Sequence, residues 1–294
     1  MKIVVTGGCG FIGSSFVHLC IEKGYEVLVV DKLTYAGNIN SIPTPLIPIL
    51  VKDICDVTSE ELGEYDYLVN FAAESHVDNS IKDGKPFLKS NIEGTFNLLE
   101  LARKNKKLKK FIQISTDEVY GDLDMLKVDA SFEQNFLYPS SYYSATKASA
   151  DMLVYSCGHT FGLPYIITRT CNNFGDRQHN EKFIPTIIRS IKNDKPIPVY
   201  GDGKQIREWI WVEDNTNQIL KLMLGSDVGT FNIGSGESLQ NIDIINHIGD
   251  LIGKKPKYKF VEDRLGHDRR YTLDTDYTSP KITKTLFEYL KEKI

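Results

Sequence analysis

The chain has 294 residues, a formal net charge of −4 and 41% hydrophobic residues, enough to bury one large core or two unequal ones. The acidic balance gives no reason to expect a nucleic acid or an anionic membrane as partner, and no apolar run reaches the length that crosses a bilayer. Cysteines 9, 20, 55, 157 and 171 are odd in number and without a CxxC, and the histidines lack ligand spacing, so reduced thiols, a cytoplasmic setting and no metal are expected.

In chain order, apolar runs predict strands at 2–6, 26–31, 47–51, 66–71, 110–115 and 164–169, and the spacing i, i+3, i+4 predicts helices at 11–23, 86–105 and 144–157. The first strand begins directly after Met1, with no signal-peptide pattern before it. Prolines 43, 45 and 48 make 42–48 a loop entering the third strand. The basic run 104–110 reads as a solvated helix end. Alternation of strands and helices is the pattern of a parallel sheet, so the fold class is α/β, a Rossmann-type doubly wound parallel sheet with a smaller C-terminal α/β lobe. After Gly175 the texture turns polar (176–182), then helical (183–192), then strand with turn (196–203). This places a cofactor domain at 1–176 and a substrate lobe at 177–294, with 211–235, including a late strand at 230–234, returned to the first domain.

Gly7, Gly8, Gly10 and Gly13 follow the first strand and open the first helix, where glycines let the backbone reach a pyrophosphate at the helix's positive end. Asp31 ends the second strand, 18 residues beyond Gly13. An acid there accepts from ribose hydroxyls and repels a 2′-phosphate, pointing to NAD rather than NADP. Asp117 and Glu118 end the fifth strand as neighbouring carboxylates, an arrangement that can divide into acid and base. Tyr143 and Lys147 lie one helical turn apart, with the ammonium expected to favour the phenolate of a Tyr whose ordinary pKa is about 10.

Together, residues 6–13, 31–38, 70–78, 115–121, 143–148, 172–175, 181–185, 205–209 and 266–271 make the chain resemble the extended short-chain dehydrogenase/reductases of the NAD-dependent epimerase/dehydratase type. Among these it is most similar to the dTDP-glucose 4,6-dehydratase family. The resemblance implies NAD as a cofactor that stays bound and a sugar nucleotide, dTDP-glucose or UDP-glucose, as substrate. Tyr143 would take the C4 hydroxyl proton, Glu118 would remove the C5 proton, Asp117 would protonate the departing C6 hydroxyl and Thr116 would bond the C4 oxygen. It further implies cofactor contacts at Phe11, Ile12, Lys32, Leu33, Thr34, Asp53, Ile54, Phe71, Ala72, Ala73, Ser90, Asn173 and Lys147. Substrate contacts are implied at Ser75, Asn172, Lys182, Phe183, Pro198, Tyr200, Arg207, Asn232, Arg264 and His267. Arg207 is the first choice for the diphosphate, which wants a fork of donors. A homodimer through a four-helix bundle is the family expectation.

Asp117 separates this pattern from the 4-epimerases, which usually carry small residues there; the base, thymine or uracil, stays open. A 4-epimerase and a catalytically silent NAD-binding protein are the rivals, and Asp117, Glu118, Tyr143 and Lys147 together argue against both. Two departures stand out. Tyr142 precedes Tyr143 where proline is common in the family, leaving two phenols, of which the spacing to Lys147 selects Tyr143. Beyond Asp274 the chain ends in 278–294 where relatives continue further, which implies a substrate lobe shortened at its C-terminus.

Overall fold

A computed structural model describes residues 1–43 and 46–294. Its strands are β1 (Lys2–Thr6), β2 (Glu26–Asp31), β3 (Ile49–Val51), β4 (Tyr67–Asn70), β5 (Lys110–Thr116), β6 (Tyr165–Thr170), β7 (Asn172–Phe174), β8 (Ile197–Tyr200), β9 (Ile206–Trp211), β10 (Gly229–Ile233), β11 (Ser238–Gln240) and β12 (Tyr258–Val261). Seven of them form one sheet in the order β10-β6-β5-β4-β1-β2-β3, and every pair in it is parallel. Its strands are buried on both faces, which is why they read as continuous apolar runs rather than alternating ones. This is the doubly wound sheet expected from the sequence. The strand order reverses between β1 and β4, the place where such sheets bind ligands.

The predicted elements recur with shifted ends. The strand expected at 47–51 begins at Ile49, although the Pro48 carbonyl already accepts from the Val29 N–H at 3.0 Å; of the predicted proline loop, Thr44 and Pro45 lie outside the described residues. The helix expected at 144–157 runs Tyr142–Phe161, closed at its start by a capping box between Ser141 and Ser144. The helix expected at 86–105 is interrupted: Leu88–Glu93 is π-helical, between Lys85–Phe87 and Gly94–Ala102. The basic run is solvated except at its end, where buried Lys110 donates to the carbonyls of Leu222 (3.2 Å) and Gly225 (2.6 Å). That correction follows from β10: the helix Val212–Leu224 lies on the helix Phe11–Glu22 and leads into β10 beside β6, so its C-terminal carbonyls come to rest on β5.

The remaining strands build the smaller lobe. β7, β9 and β11 form one short sheet and β8 and β12 another, around a core that includes Phe174, Ile184, Ile197, Trp209 and Ile245. Within 278–294 the chain folds into the helix Leu286–Lys293, opened by a capping box from Thr285 to Glu288, and its Leu286 and Leu290 are wholly buried in that core. All five cysteines are free thiols. Among the described residues no helix is long and apolar enough to cross a membrane.

Candidate active site

The site lies over the C-terminal ends of β1, β4 and β5. Beneath it, Thr6 Oγ1 donates to Asn70 Oδ1 (2.6 Å) and Asn70 Nδ2 donates to Gln113 Oε1 (2.9 Å), so the ends of β1 and β4 are tied to each other and to the middle of β5 by buried side-chain bonds. From β1 the chain turns through Gly7, with φ +67°, where a Cβ would stand 2.6 Å from the Ala72 nitrogen. The helix Phe11–Glu22 then starts at Gly10 with no side-chain cap and no acid in its first turn, so its free N–H groups face the cleft. Asp31 ties this turn to β2: Oδ2 accepts from the Cys9 N–H at 2.9 Å and Oδ1 from the Leu33 N–H at 2.8 Å.

Around this end the cleft is lined by Gly7, Gly10, Phe11, Ile12, Gly13, Asp31, Lys32, Thr34, Ile54, Phe71, Ala72, Ala73, Ser90, Lys147 and Asn173, as expected for the cofactor. Two expected contacts do not line it. Leu33, at φ +52°, packs against the sheet's core and offers only its backbone. Asp53 closes its own turn, accepting from the Cys55 N–H at 3.0 Å, and faces Lys32 at 3.7 Å. An uncapped helix start, an acid at the end of β2 and a turn too close for side chains suit a dinucleotide with unmodified ribose.

Next along the cleft, Thr116 ends β5 and caps the turn Asp117–Tyr120: its Oγ1 accepts from the Glu118 N–H at 3.3 Å and donates to Asp117 Oδ1 at 3.1 Å. Asp117 is only 3% exposed and its Oδ2 has no partner. Burial, then the neighbouring Glu118 and Glu208 charges, hold the Asp117 carboxyl well above the ordinary range, which favours its protonated form. Burial also raises Glu118, but the Arg264 and Arg207 guanidiniums and Lys182 oppose the rise. The opposing cations act on Glu118 more than on Asp117, so the surroundings favour the proton on Asp117.

Tyr143 lines the same cleft, whereas Tyr142 is 64% exposed and does not line it. For Tyr143 the net direction is opposite to the lowering expected from Lys147. Burial and the Glu118 charge push the phenol upward, and Lys147 Nζ donates to the Ile114 carbonyl at 2.5 Å. Burial brings the Lys147 amine itself down to about 8.

A second cavity continues from the first, sharing Ser75, Glu118, Asn172, Lys182, Phe183 and Trp209. Pro198, Tyr200, Arg207, Arg264 and His267 line it as the substrate reading expects. Lys182 Nζ donates to the Ser75 carbonyl (3.4 Å), and Tyr200 donates to Asp78 (3.2 Å) while standing edge-on to His267. Burial, then Arg264, lowers His267 to about 4, against the pull of Asp263 at 2.6 Å, so the ring is neutral at pH 7. Arg207 donates to the carbonyls of Ile206 (2.8 Å), Asp268 (2.8 Å) and Arg269 (3.3 Å) and lies over the Tyr271 ring, while Arg264 faces Asp78 at 3.6 Å and keeps a buried Nε without a partner.

Asn232 is the expected substrate residue that the structure removes from the site. It is wholly buried in β10, accepts from Tyr120 Oη (2.7 Å) and donates to the carbonyls of Ser131 (2.8 Å) and Asp274 (3.0 Å), lining neither cavity. Asn232→Ala should therefore cost stability, roughly 1–3 kcal/mol for each partner left unpaired. Urea unfolding midpoints against KM check this; a raised KM with unchanged stability would return Asn232 to the substrate.

Sequence reasoning missed Asn91 and Glu74. Asn91, in the π-helical turn, accepts from the Glu74 N–H (2.9 Å) and donates to the Glu74 carbonyl (3.1 Å) and Thr146 Oγ1 (3.0 Å), binding the loop after β4 to the Tyr143 helix. Glu74 itself faces Lys32 at 3.5 Å in the cleft. The π turn that aims Asn91 leaves no mark in an apolar pattern, since it shifts register by one residue within a continuous helix.

Known proteins share this arrangement. A family model described as the NAD dependent epimerase/dehydratase family matches residues 3–234. The chain is 44% identical to the low-salt glycan biosynthesis protein Agl12 of Haloferax volcanii over 95% of this chain and 91% of that protein. It is 41% identical to the dTDP-glucose 4,6-dehydratase of Escherichia coli over 96% of this chain and 87% of that protein. The crystal structure of DesIV, a dTDP-glucose 4,6-dehydratase from Streptomyces venezuelae with NAD bound, superposes with a TM-score of 0.94 at 36% identity, covering 99% of this chain and 95% of that one. With its glycine turn, its Asp31 and its Tyr143–Lys147 helix in one cleft, the chain belongs to the NAD dependent epimerase/dehydratase family.

Proposed function

We propose that the protein is an NAD-dependent 4,6-dehydratase converting dTDP-glucose to dTDP-4-keto-6-deoxyglucose and water, a precursor of 6-deoxy sugars such as rhamnose. The observation that carries this reading is the adjacent pair in the cleft: Asp117, buried with an unpartnered oxygen and raised by burial, beside Glu118, which two arginines and a lysine face. A 4-epimerase needs one group for the C4 proton; an elimination across C5 and C6 needs a further base and a further acid. NAD held by the glycine turn, Asp31 and Lys147 supplies the oxidising and reducing equivalents for C4 and C6.

The remaining chemistry belongs to the side chains. Tyr143 takes the C4 hydroxyl proton as its phenolate, a form that burial opposes and that the positive nicotinamide would favour once NAD is bound, and the resulting ketone acidifies C5–H. Glu118 removes that proton and Asp117 delivers one to the C6 oxygen as it leaves. Thr116 must turn from Asp117 to reach the C4 oxygen, because its hydroxyl hydrogen is already given to that carboxyl. Arg264, whose Nε has no hydrogen-bond partner although its Nη1 faces Asp78 at 3.6 Å, and Arg207 are the guanidiniums for the diphosphate. Residues 1–176 with 211–235 act as the cofactor domain and the rest as the substrate lobe.

Incubation with dTDP-glucose and, separately, UDP-glucose, followed by mass spectrometry for loss of water, tests the reading. Product from dTDP-glucose is expected. Product from UDP-glucose alone would change the nucleotide, and a 4-epimer without loss of water would replace the reaction.

We also propose a homodimer in a reducing compartment, the cytoplasm. Leu88, Phe96, Met152 and Tyr155 are all about half exposed on the neighbouring helical runs 85–102 and 142–161, an apolar face suited to a twofold mate. Phe96→Glu combined with Tyr155→Glu should give a monomer by sedimentation; an unchanged dimer would move the interface elsewhere.

A further inference from the structure

The segment 264–271 carries Arg264, His267 and Tyr271 into the substrate cavity, yet it has no helix or strand of its own beyond a single bridge. Two neighbours hold it instead. On the lobe side, Ile206 of β9 donates to the Arg269 carbonyl (2.9 Å) and accepts from the Tyr271 N–H (3.4 Å), and Arg207 donates to the carbonyls of Asp268 and Arg269. On the other side stands the connection 121–141, which joins the turn Asp117–Tyr120 to the helix Tyr142–Phe161. There Asp122, four residues after Glu118, accepts from the Arg269 N–H (2.8 Å) on one oxygen and from the Arg270 N–H (3.4 Å) on the other. Ser140, three residues before Tyr143, donates to Asp268 Oδ1 (2.5 Å), and Asp268 Oδ2 accepts from Tyr271. At Gly266, with φ +63°, the two chains pass so close that a Cβ would stand 2.4 Å from the Ser140 carbonyl oxygen.

We propose that Asp122 and Ser140 are positioning residues for the reaction: they clamp 266–271 at both ends of one connection and so fix the lobe's substrate-binding groups relative to Glu118 and Tyr143. This rests on the roles proposed above for those two residues. Each anchor lies within four residues of a reacting group, so the clamp transmits its geometry through very little chain. The bonds from the two N–H groups to the Asp122 carboxylate are charge-assisted, and such bonds are roughly twice as strong as neutral ones. Arg207 lies in β9, and Arg264 and His267 lie on the segment that β9 holds, so these three groups move together. Loosening the clamp therefore leaves the nucleotide's groups in mutual register and shifts them all against the acid, the base and the phenol. Misplacement by about 1 Å is enough to cost on the order of 10²-fold in rate.

The test follows the absorbance of reduced nicotinamide in stopped flow, on mixing holoenzyme with dTDP-glucose or UDP-glucose, beside calorimetric titration with dTDP. Asp122→Ala should slow C4 oxidation by roughly 10–100-fold while the Kd for dTDP stays within about twofold. Asp122→Asn, which keeps an acceptor for the Arg269 N–H, should recover part of the rate. Ser140→Ala should move in the same direction; it leaves untouched the Asp122 cap on the short helix Leu123–Leu126 and serves where Asp122→Ala folds poorly. An unchanged oxidation rate with only a lower Tm would overturn the proposal, and so would parallel loss of rate and dTDP binding. Oxidation at C4 is common to dehydratases and 4-epimerases, so a failed assay for loss of water leaves this result standing.

Discussion

Glu118→Gln and Asp117→Asn should each lower kcat on dTDP-glucose by roughly 10²–10⁴-fold, the usual worth of one positioned acid or base, but they should stop at different points. Glu118→Gln removes the base and should abolish exchange of C5 hydrogen with deuterated water. Asp117→Asn keeps that base and should still exchange C5 hydrogen while failing to lose water. The pH dependence follows from the environments. Asp117, raised by burial and by two carboxylates, must be protonated, so activity is lost as pH rises through its folded value. Glu118 must be ionised, so activity is lost as pH falls below its own raised value. The wild type should give a bell whose limbs belong to the pair rather than to either residue alone, and Asp117→Asn should lose the limb that its proton sets. Deuterium incorporation by mass spectrometry decides it. Equal exchange in the two variants would reverse or dissolve the assignment of base and acid.

Much of this site was legible in the sequence because its parts sit where local rules speak loudly. The glycine turn, Asp31, and the pair at the end of β5 all lie at strand ends of a buried parallel sheet, and a continuous apolar run ending in polar residues marks such an end. Tyr143 and Lys147 were legible through helical spacing alone. What failed depended on which way a side chain turns. Arg207 lines the substrate cavity as expected, but its fork is shared with carbonyls of the chain at 268 and 269, a contact between segments some sixty residues apart that the sequence does not announce. Asn232 was read as a substrate contact, but the pairing of β10 with β6 places it against Tyr120.

The second large effect concerns the turn that holds the cofactor. A Cβ on Gly13 would stand 2.2 Å from the Gly7 carbonyl oxygen and 3.0 Å from the Gly7 carbonyl carbon, both backbone atoms that no rotamer change can move. Gly7 in turn has φ +67° and its own Cβ position filled by residues 71–72, so the turn cannot retreat toward β4. Gly13→Ala must therefore lift the first turn of the helix away from β1, displacing the uncapped N–H groups of residues 11–13 that face the cleft. Overpacking of this kind costs about 1–3 kcal/mol. The expected result is protein purified without NAD, a Tm lowered by several degrees, and turnover lost even with NAD added. Substitution of Gly24 is the matched control, because a Cβ there meets nothing within 4 Å, although its φ of +77° carries its own strain. The control should lose stability while keeping its NAD. Equal loss of NAD in both variants would mean that general destabilisation, rather than the shape of the glycine turn, sets cofactor binding.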